Sequence, residues 1–191
     1  YEVNVQADYA MGVLEQIVAA GKQYNLTPYG TETMHVLRAE KGFIIVGQDT
    51  DGSMTPDDLN MGWCVGRTKP FSWIGWRGMN REDCVREERK QLVGLKPIDP
   101  TVWLPEGAQL VFDAKQTIPM KMVGHVTSSY AHNSLGYSFA MAVVKGGLKR
   151  IGERVFSPQA DGSVIEAEIV SSVFFDRSEE RRVGKECPRC V

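Results

Sequence analysis

The chain has 191 residues, 42% of them hydrophobic, with 22 basic against 24 acidic side chains and a net charge of −2. That balance gives no basic field to draw nucleic acid or an anionic membrane surface, and apolar runs such as FIIV and FAMAVV fall far short of the roughly 20 residues a membrane span needs. Four cysteines, with Cys64 and Cys84 as singletons, do not make a disulfide framework, so a soluble protein of the reducing cytoplasm is expected.

In chain order, Tyr1–Val5 alternates as an opening strand, with Glu2 and Asn4 outward and Val3 and Val5 inward. Asp8 can cap a helix whose Ala10, Val13, Leu14, Ile17 and Val18 share one face, with Gly21 as its stop. A second helix is predicted from Thr31 or Thr33, with Met34, Leu37 and Arg38 at helical spacing, until Gly42 ends it. FIIV (43–46) then reads as an inward strand, and Asp49 to Ser53 as a turn in which Asp49 and Asp51 are turn formers. Thr55-Pro56-Asp57-Asp58 supplies a cap, a first-turn proline and two acids, so a short helix is expected there, running toward MGWCVG. A loop rich in aromatics and glycine, FSWIGWRGMN, and a charged amphipathic stretch, REDCVREERK, complete an α/β (α+β) segment.

From Gln91 the character changes to six short apolar runs cut by turn residues: QLVGLKPI, GAQLVFD, PMKMVGHVTSS, YSFAMAVV, RIGERVFS and SVIEAEIV. This spacing predicts a six-stranded antiparallel barrel or sandwich, with Asp161-Gly162 as the last hairpin turn. The composition places a domain boundary near residue 90, giving segments 1–90 and 91–176. The stretch 177–191, RSEERRVGKEC onward, resembles a translated sequencing adapter and is set aside from fold reasoning; it holds five basic and three acidic residues, so the body is mildly acidic. The start at Tyr1, inside a strand pattern and without methionine, is expected to be an internal point of a longer chain.

Other motifs carry little. Cys187-Pro-Arg-Cys190 has zinc or redox spacing, but no second pair or nearby histidine completes four ligands, and no metal site is expected. Gly47–Asp58 mimics a calcium loop but has glycine where the first carboxylate must stand. His35, His125 and His132 are scattered, without a nucleophile signature. No dinucleotide or triphosphate loop is present.

Taken together, YEVNV with ADYA, HVLRAEKGFIIVGQDTDG, RKQLVGLKPIDP, LPEGAQLV, GHVTSSY, LGYSFAMAVVKGG and IGERVFSP resemble the aminomethyltransferase family, the tetrahydrofolate-binding fold of the glycine cleavage T-protein, and within it the sarcosine oxidase alpha-subunit branch. The resemblance implies a partial T-protein-like fold. It also implies that Glu2, at the end of the family's pterin-holding segment, accepts paired hydrogen bonds from the pterin, and that Trp63 is a pocket candidate beside its plainer reading as a core residue. Met34 stands where the T-protein has a folate-holding arginine, so this position cannot grip folate in that manner and packs in the core or against the ligand. The implied chemistry is capture by tetrahydrofolate of the imine from sarcosine oxidation, giving 5,10-methylenetetrahydrofolate. The catalytic aspartate would lie upstream of Tyr1. FAD, FMN and NAD would lie elsewhere in the parent enzyme, and beta, gamma and delta subunits would be partners. A stand-alone aminomethyltransferase, a dimethylglycine dehydrogenase tail and a non-catalytic β-barrel assembly module are the competing readings.

Overall fold

The computed structural model describes residues 2–131 and 135–176. The chain divides into two compact units, one from Tyr1 to His35 and one from Val36 onward. His132, Cys187, Cys190 and the adapter-like stretch lie outside the described residues.

In the first unit, residues 2–6 form no strand among the described residues, so the predicted opening strand is not formed. Alternation marks two faces; a strand also needs a hydrogen-bonded neighbour. A 3₁₀ turn at Ala7–Tyr9 leads into α1 (Ala10–Gly21). Asp8 sits inside that turn and makes no side-chain cap bond. The helix ends at Gly21 as expected; a 3₁₀ turn, Lys22–Tyr24, follows, and Asn25 ends that turn in the left-handed conformation at φ 57°. Asparagine serves here because its short polar side chain tolerates that region.

The helix α2 (Thr31–Glu40) begins one residue after Gly30, whose carbonyl accepts the Met34 N–H at 3.2 Å, so glycine takes the capping place expected of a threonine. Its far end is a Schellman motif: Phe43 N–H reaches the Arg38 carbonyl at 2.8 Å and Gly42 N–H the Ala39 carbonyl at 3.0 Å. Gly42 has φ +77°, and a Cβ there would also lie 2.7 Å from the Ser172 carbonyl oxygen, so both backbone conformation and space require glycine. Gly42→Ala is therefore expected to lower the stability of the second unit by about 1–3 kcal/mol, read as a shift in denaturant midpoint without a change in slope.

FIIV does not form its predicted strand. Residues 43–45 are irregular and Val46 opens a turn closed by Gln48 and Asp49 N–H groups on the Ile45 carbonyl. Phe43 and Val46 are exposed, and no strand pairs with this run among the described residues. Thr55–Asp58 likewise forms a turn in place of a helix, because Asn60 takes a left-handed φ of 62° before a full helical turn can propagate. Short helices follow: a 3₁₀ turn at Gly62–Cys64, α3 (Trp76–Met79) and α4 (Glu82–Val85).

The six predicted strands all form: β1 (Lys90–Pro97), β2 (Gln109–Leu110), β3 (Gly124–Tyr130), β4 (Phe139–Lys145), β5 (Arg154–Pro158) and β6 (Val164–Val170). They are antiparallel in the order β2-β3-β4-β1-β6-β5. The two edges meet through Val111 and Phe156, which exchange N–H to carbonyl bonds of 2.9 Å, and so nearly close a barrel. Closure removes the exposed edges that an open sheet would offer to other chains. Gly162, with φ +84°, makes the β5–β6 hairpin, and Asp161 accepts the Ser163 N–H at 2.9 Å as an Asx turn.

The continuous apolar run of β4 is explained by burial on both faces. Ala140, Ala142 and Val144 point into the barrel with Val93, Leu95, Val126, Val155 and Ile169. Phe139, Met141 and Val143 point outward with Leu92 and Ala39, the latter from the end of α2. Phe174 lies across the bare backbone of Gly94 and packs on Phe139 at a ring separation of 4.4 Å. A side chain at residue 94 would push that ring off the outer cluster.

Candidate functional site

Two buried ionic clusters frame an open recess on the second unit, and each begins from a residue type that water would normally hold outside. Arg38, in the last turn of α2, points its guanidinium inward. Its Nη1 donates to Asp49 Oδ2 at 2.5 Å and to the Phe43 carbonyl at 3.1 Å; its Nη2 donates to Ser128 Oγ at 2.7 Å and Tyr130 Oη at 3.1 Å. The Asp49 side chain is fully buried. Its Oδ2 also accepts the Ile45 N–H at 2.8 Å, and its Oδ1 accepts the hydroxyls of Thr127 at 2.5 Å and Ser128 at 2.7 Å.

Adjacent residues of a regular strand point to opposite faces, so Thr127 and Ser128 could not both reach one carboxylate oxygen. A register shift between Val126 and Ser128 in the β3–β4 ladder, a β-bulge, turns both hydroxyls the same way. Asp49 is thus the hub of a charged cluster as well as a turn former, its N–H closing the turn on the Ile45 carbonyl at 2.9 Å; Asp51 is a turn former too, accepting the Ser53 N–H at 2.7 Å. The hydrogen bond from the Ser53 hydroxyl, joined by that from its N–H, holds the Asp51 carboxyl below its ordinary pKa. Burial pushes the Tyr130 phenol above its usual value, and the hydrogen bond from Arg38 pulls in the opposite direction.

The second cluster joins Asp58 to Arg89. Arg89 Nε lies 3.0 Å from both carboxylate oxygens and Nη2 2.7 Å from Oδ2, a bidentate geometry, while Nη1 donates to the Asp83 carbonyl at 2.9 Å. The same carboxylate accepts the Thr55 N–H at 2.8 Å and the Thr55 hydroxyl at 2.9 Å. Hydrogen bonding to Asp58 raises the Arg89 pKa above its already high value, so the guanidinium stays charged.

Between these clusters the segments Lys41–Ile44, Leu59–Met61 and Ser172–Val173, together with Trp63, enclose a recess of about 350 Å³. The Arg38–Asp49 pair fixes one wall by holding the Phe43 carbonyl and the Ile45 N–H. Asn60 fixes the other, donating to the Leu92 carbonyl at 3.0 Å and to Ser172 Oγ at 3.2 Å. Lys41, at the mouth, is ion-paired with Asp176. The site offers flat apolar walls, one amide and a cation, suited to an aromatic ligand with polar edges.

Trp63 stands at the rim of this recess and is 82% exposed, so it is not a core residue. Glu2 belongs to the first unit and is exposed. Met34 is 47% exposed on α2 and is not part of a buried core. Among the described residues no group of three or more His, Cys, Asp or Glu side chains could hold a metal.

Residues 1–69 match the family model for the GCVT N-terminal domain, and residues 90–176 that for the glycine cleavage T-protein C-terminal barrel domain. The sarcosine oxidase subunits alpha of Corynebacterium sp. strains U-96 and P-1 are 46% and 48% identical over 188 residues, which are 96% of this chain and 19% of theirs. The chain thus spans about a fifth of the length of these relatives. A crystal structure of the glycine cleavage system aminomethyltransferase T from Bartonella henselae is similar, with a TM-score of 0.58 and 25% identity, over 73% of this chain and 37% of that one. With both models matched in order and the barrel in place, the chain belongs to the glycine cleavage T-protein (aminomethyltransferase) family.

Proposed function

We propose that this chain is the tetrahydrofolate-binding part of a sarcosine oxidase alpha-type subunit, in which the imine produced by sarcosine oxidation is captured to give 5,10-methylenetetrahydrofolate. The observation that carries this reading is the 46–48% identity to sarcosine oxidase subunits alpha along nearly the whole chain. Residues 1–90 then form the end of the folate-binding domain and 91–176 its barrel. FAD, FMN and NAD, and the beta, gamma and delta subunits, belong to the rest of a cytoplasmic parent enzyme. No helix among the described residues is long and apolar enough to cross a membrane.

The residues fit the ligand. A folate carries flat rings with polar edges, and the recess has an aromatic rim at Trp63 and Phe43 with the Asn60 amide in its wall. Glu2 would accept the paired N–H groups of the pterin, the strongest contact a carboxylate can offer to such an edge. Its exposure leaves the carboxylate open to a ligand. Trp63 would stack against an aromatic ring, and Met34, which cannot pair with a carboxylate, would offer a polarizable apolar surface. Tetrahydrofolate, when bound, supplies the nucleophilic nitrogens that take up the one-carbon unit.

Titration of a subunit of the relatives' full length with folinic acid tests this. Binding is expected, and Glu2→Ala is expected to weaken it at least tenfold, about 1.4 kcal/mol. An unchanged Kd would remove the role of Glu2; absence of binding in the unmodified subunit would remove the folate reading itself.

A further inference from the structure

Residues 67–81, RTKPFSWIGWRGMNR, stand apart from the rest of the second unit. Arg67, Lys69, Arg77 and Arg81 are four cations with no acid among them, in a chain whose net charge is negative. Arg67 pairs with Asp57, whereas Lys69, Arg77 and Arg81 have no ion pair among the described residues. Interleaved with these cations are Phe71, Trp73, Ile74 and Trp76. Ile74 is fully exposed, Phe71 and Trp76 are exposed, and none of the fifteen positions is buried. Most of the segment, residues 70–81, falls between the two stretches that match the family models, so the duties those domains share do not account for it.

Single exposed apolar residues are ordinary on a surface, but three aromatics and an isoleucine within six positions are not. The cluster is shaped as well as apolar. Trp73 and Trp76 meet edge to face at 5.7 Å and 82°, and with Met79, Val85, Arg67 and Arg86 they line a groove of about 370 Å³. Tryptophan, phenylalanine, methionine and arginine are the residues enriched at the centres of protein interfaces, where a few buried aromatics carry most of the binding energy. The acids that line the groove, Asp57, Asp58 and Glu87, are paired with Arg67, Arg89 and Lys149, so the unpaired cations of the segment beside it select a partner of opposite charge and speed its approach.

We propose that residues 67–81 are a docking surface for a partner protein subunit that presents an acidic face with an apolar centre. Trp76 and Ile74 enter that centre, and Lys69, Arg77 and Arg81 meet its carboxylates. The choice of a subunit as partner rests on the oxidase reading above; the surface itself does not depend on folate.

The test uses the full-length alpha-type subunit, alone and assembled with its partner subunits. Hydroxyl-radical footprinting should find Trp73, Trp76 and Phe71 reactive in the isolated subunit and protected in the assembly. The charge reversal Arg77→Glu with Arg81→Glu, and separately Trp76→Ala, should each weaken assembly at least tenfold, with the wild-type affinity falling as salt rises. Both variants should still bind folinic acid, so loss of folate binding in the unmodified subunit would count against the oxidase reading alone. Protection already present in the isolated subunit, assembly unaffected by the variants, or binding of phosphatidylserine vesicles or single-stranded DNA in place of the partner subunits would each overturn the proposal.

Discussion

Asp49→Ala is expected to destabilise the second unit by about 3–5 kcal/mol, because it leaves Arg38 buried and charged without its counter-ion. The carboxylate accepts from Arg38, the Ile45 N–H, Thr127 and Ser128; truncation strands the Ile45 N–H and the Ser128 hydroxyl, whereas Thr127 keeps the Met141 carbonyl at 3.2 Å and Arg38 the Phe43 carbonyl at 3.1 Å. Each buried donor without an acceptor costs a further part of its desolvation, about 1–3 kcal/mol before the site relaxes. Asp49→Asn keeps the shape and one acceptor oxygen and should cost less than the alanine. The double change Arg38→Met with Asp49→Leu should recover more than half of the alanine loss, since it removes the charge together with its partner. Equilibrium urea unfolding followed by tryptophan fluorescence gives these values. A loss below about 1 kcal/mol for Asp49→Ala would mean that the cluster is solvated and the carboxylate no hub. In the same experiment Phe43 and Ile44 should lose order first, because their backbone is what Arg38 and Asp49 hold.

The barrel was legible because local sequence states nearly everything a strand of this kind requires. FAMAVV carries small residues toward the interior and larger ones outward, and SVIEAEIV alternates behind an Asp-Gly turn. FIIV is just as apolar as FAMAVV and is not a strand. Periodicity reports which faces a segment would have, but a strand exists only where a neighbour supplies hydrogen bonds, and none does for residues 43–46 among the described residues. The opening Glu2–Val5 misreads in the same way. The recess was half legible: Trp63 at its rim came from likeness to a family, whereas the Arg38–Asp49 cluster that shapes its wall came neither from that likeness nor from periodicity. The hydroxyl residues of this cluster lie 78 and 79 positions from Asp49, and a bulge that no spacing rule reveals turns them toward it. One signal was present. Two consecutive hydroxyl residues, Thr127 and Ser128, follow Val126 in a strand of the barrel, and buried hydroxyls usually require polar partners somewhere in the fold.

Asp58→Ala should be as costly, about 3–5 kcal/mol, by a different route. Arg89 is 7% exposed and immediately precedes β1, while Asp58 lies in the turn that carries Leu59, Asn60 and Met61 into the recess. The pair therefore fastens that turn to the barrel, helped by the Leu92 N–H, which donates to the Asp58 carbonyl at 2.7 Å. Asp83 cannot replace the lost carboxylate, since its side chain is two-thirds exposed and reaches Arg89 from the solvent side at 3.1 Å. Truncation also strips the Thr55 N–H and hydroxyl of their acceptor. The consequence should be local before it is global: protease nicking between residues 53 and 61 should rise at urea concentrations where the barrel is still folded. Arg89→Leu in the alanine background should restore much of the global stability without restoring that protection, because an apolar side chain removes the stranded charge but cannot hold the turn. If the double variant is no more stable than Asp58→Ala alone, the burden lies in the lost Thr55 contacts, and the ion pair contributes little to the fold.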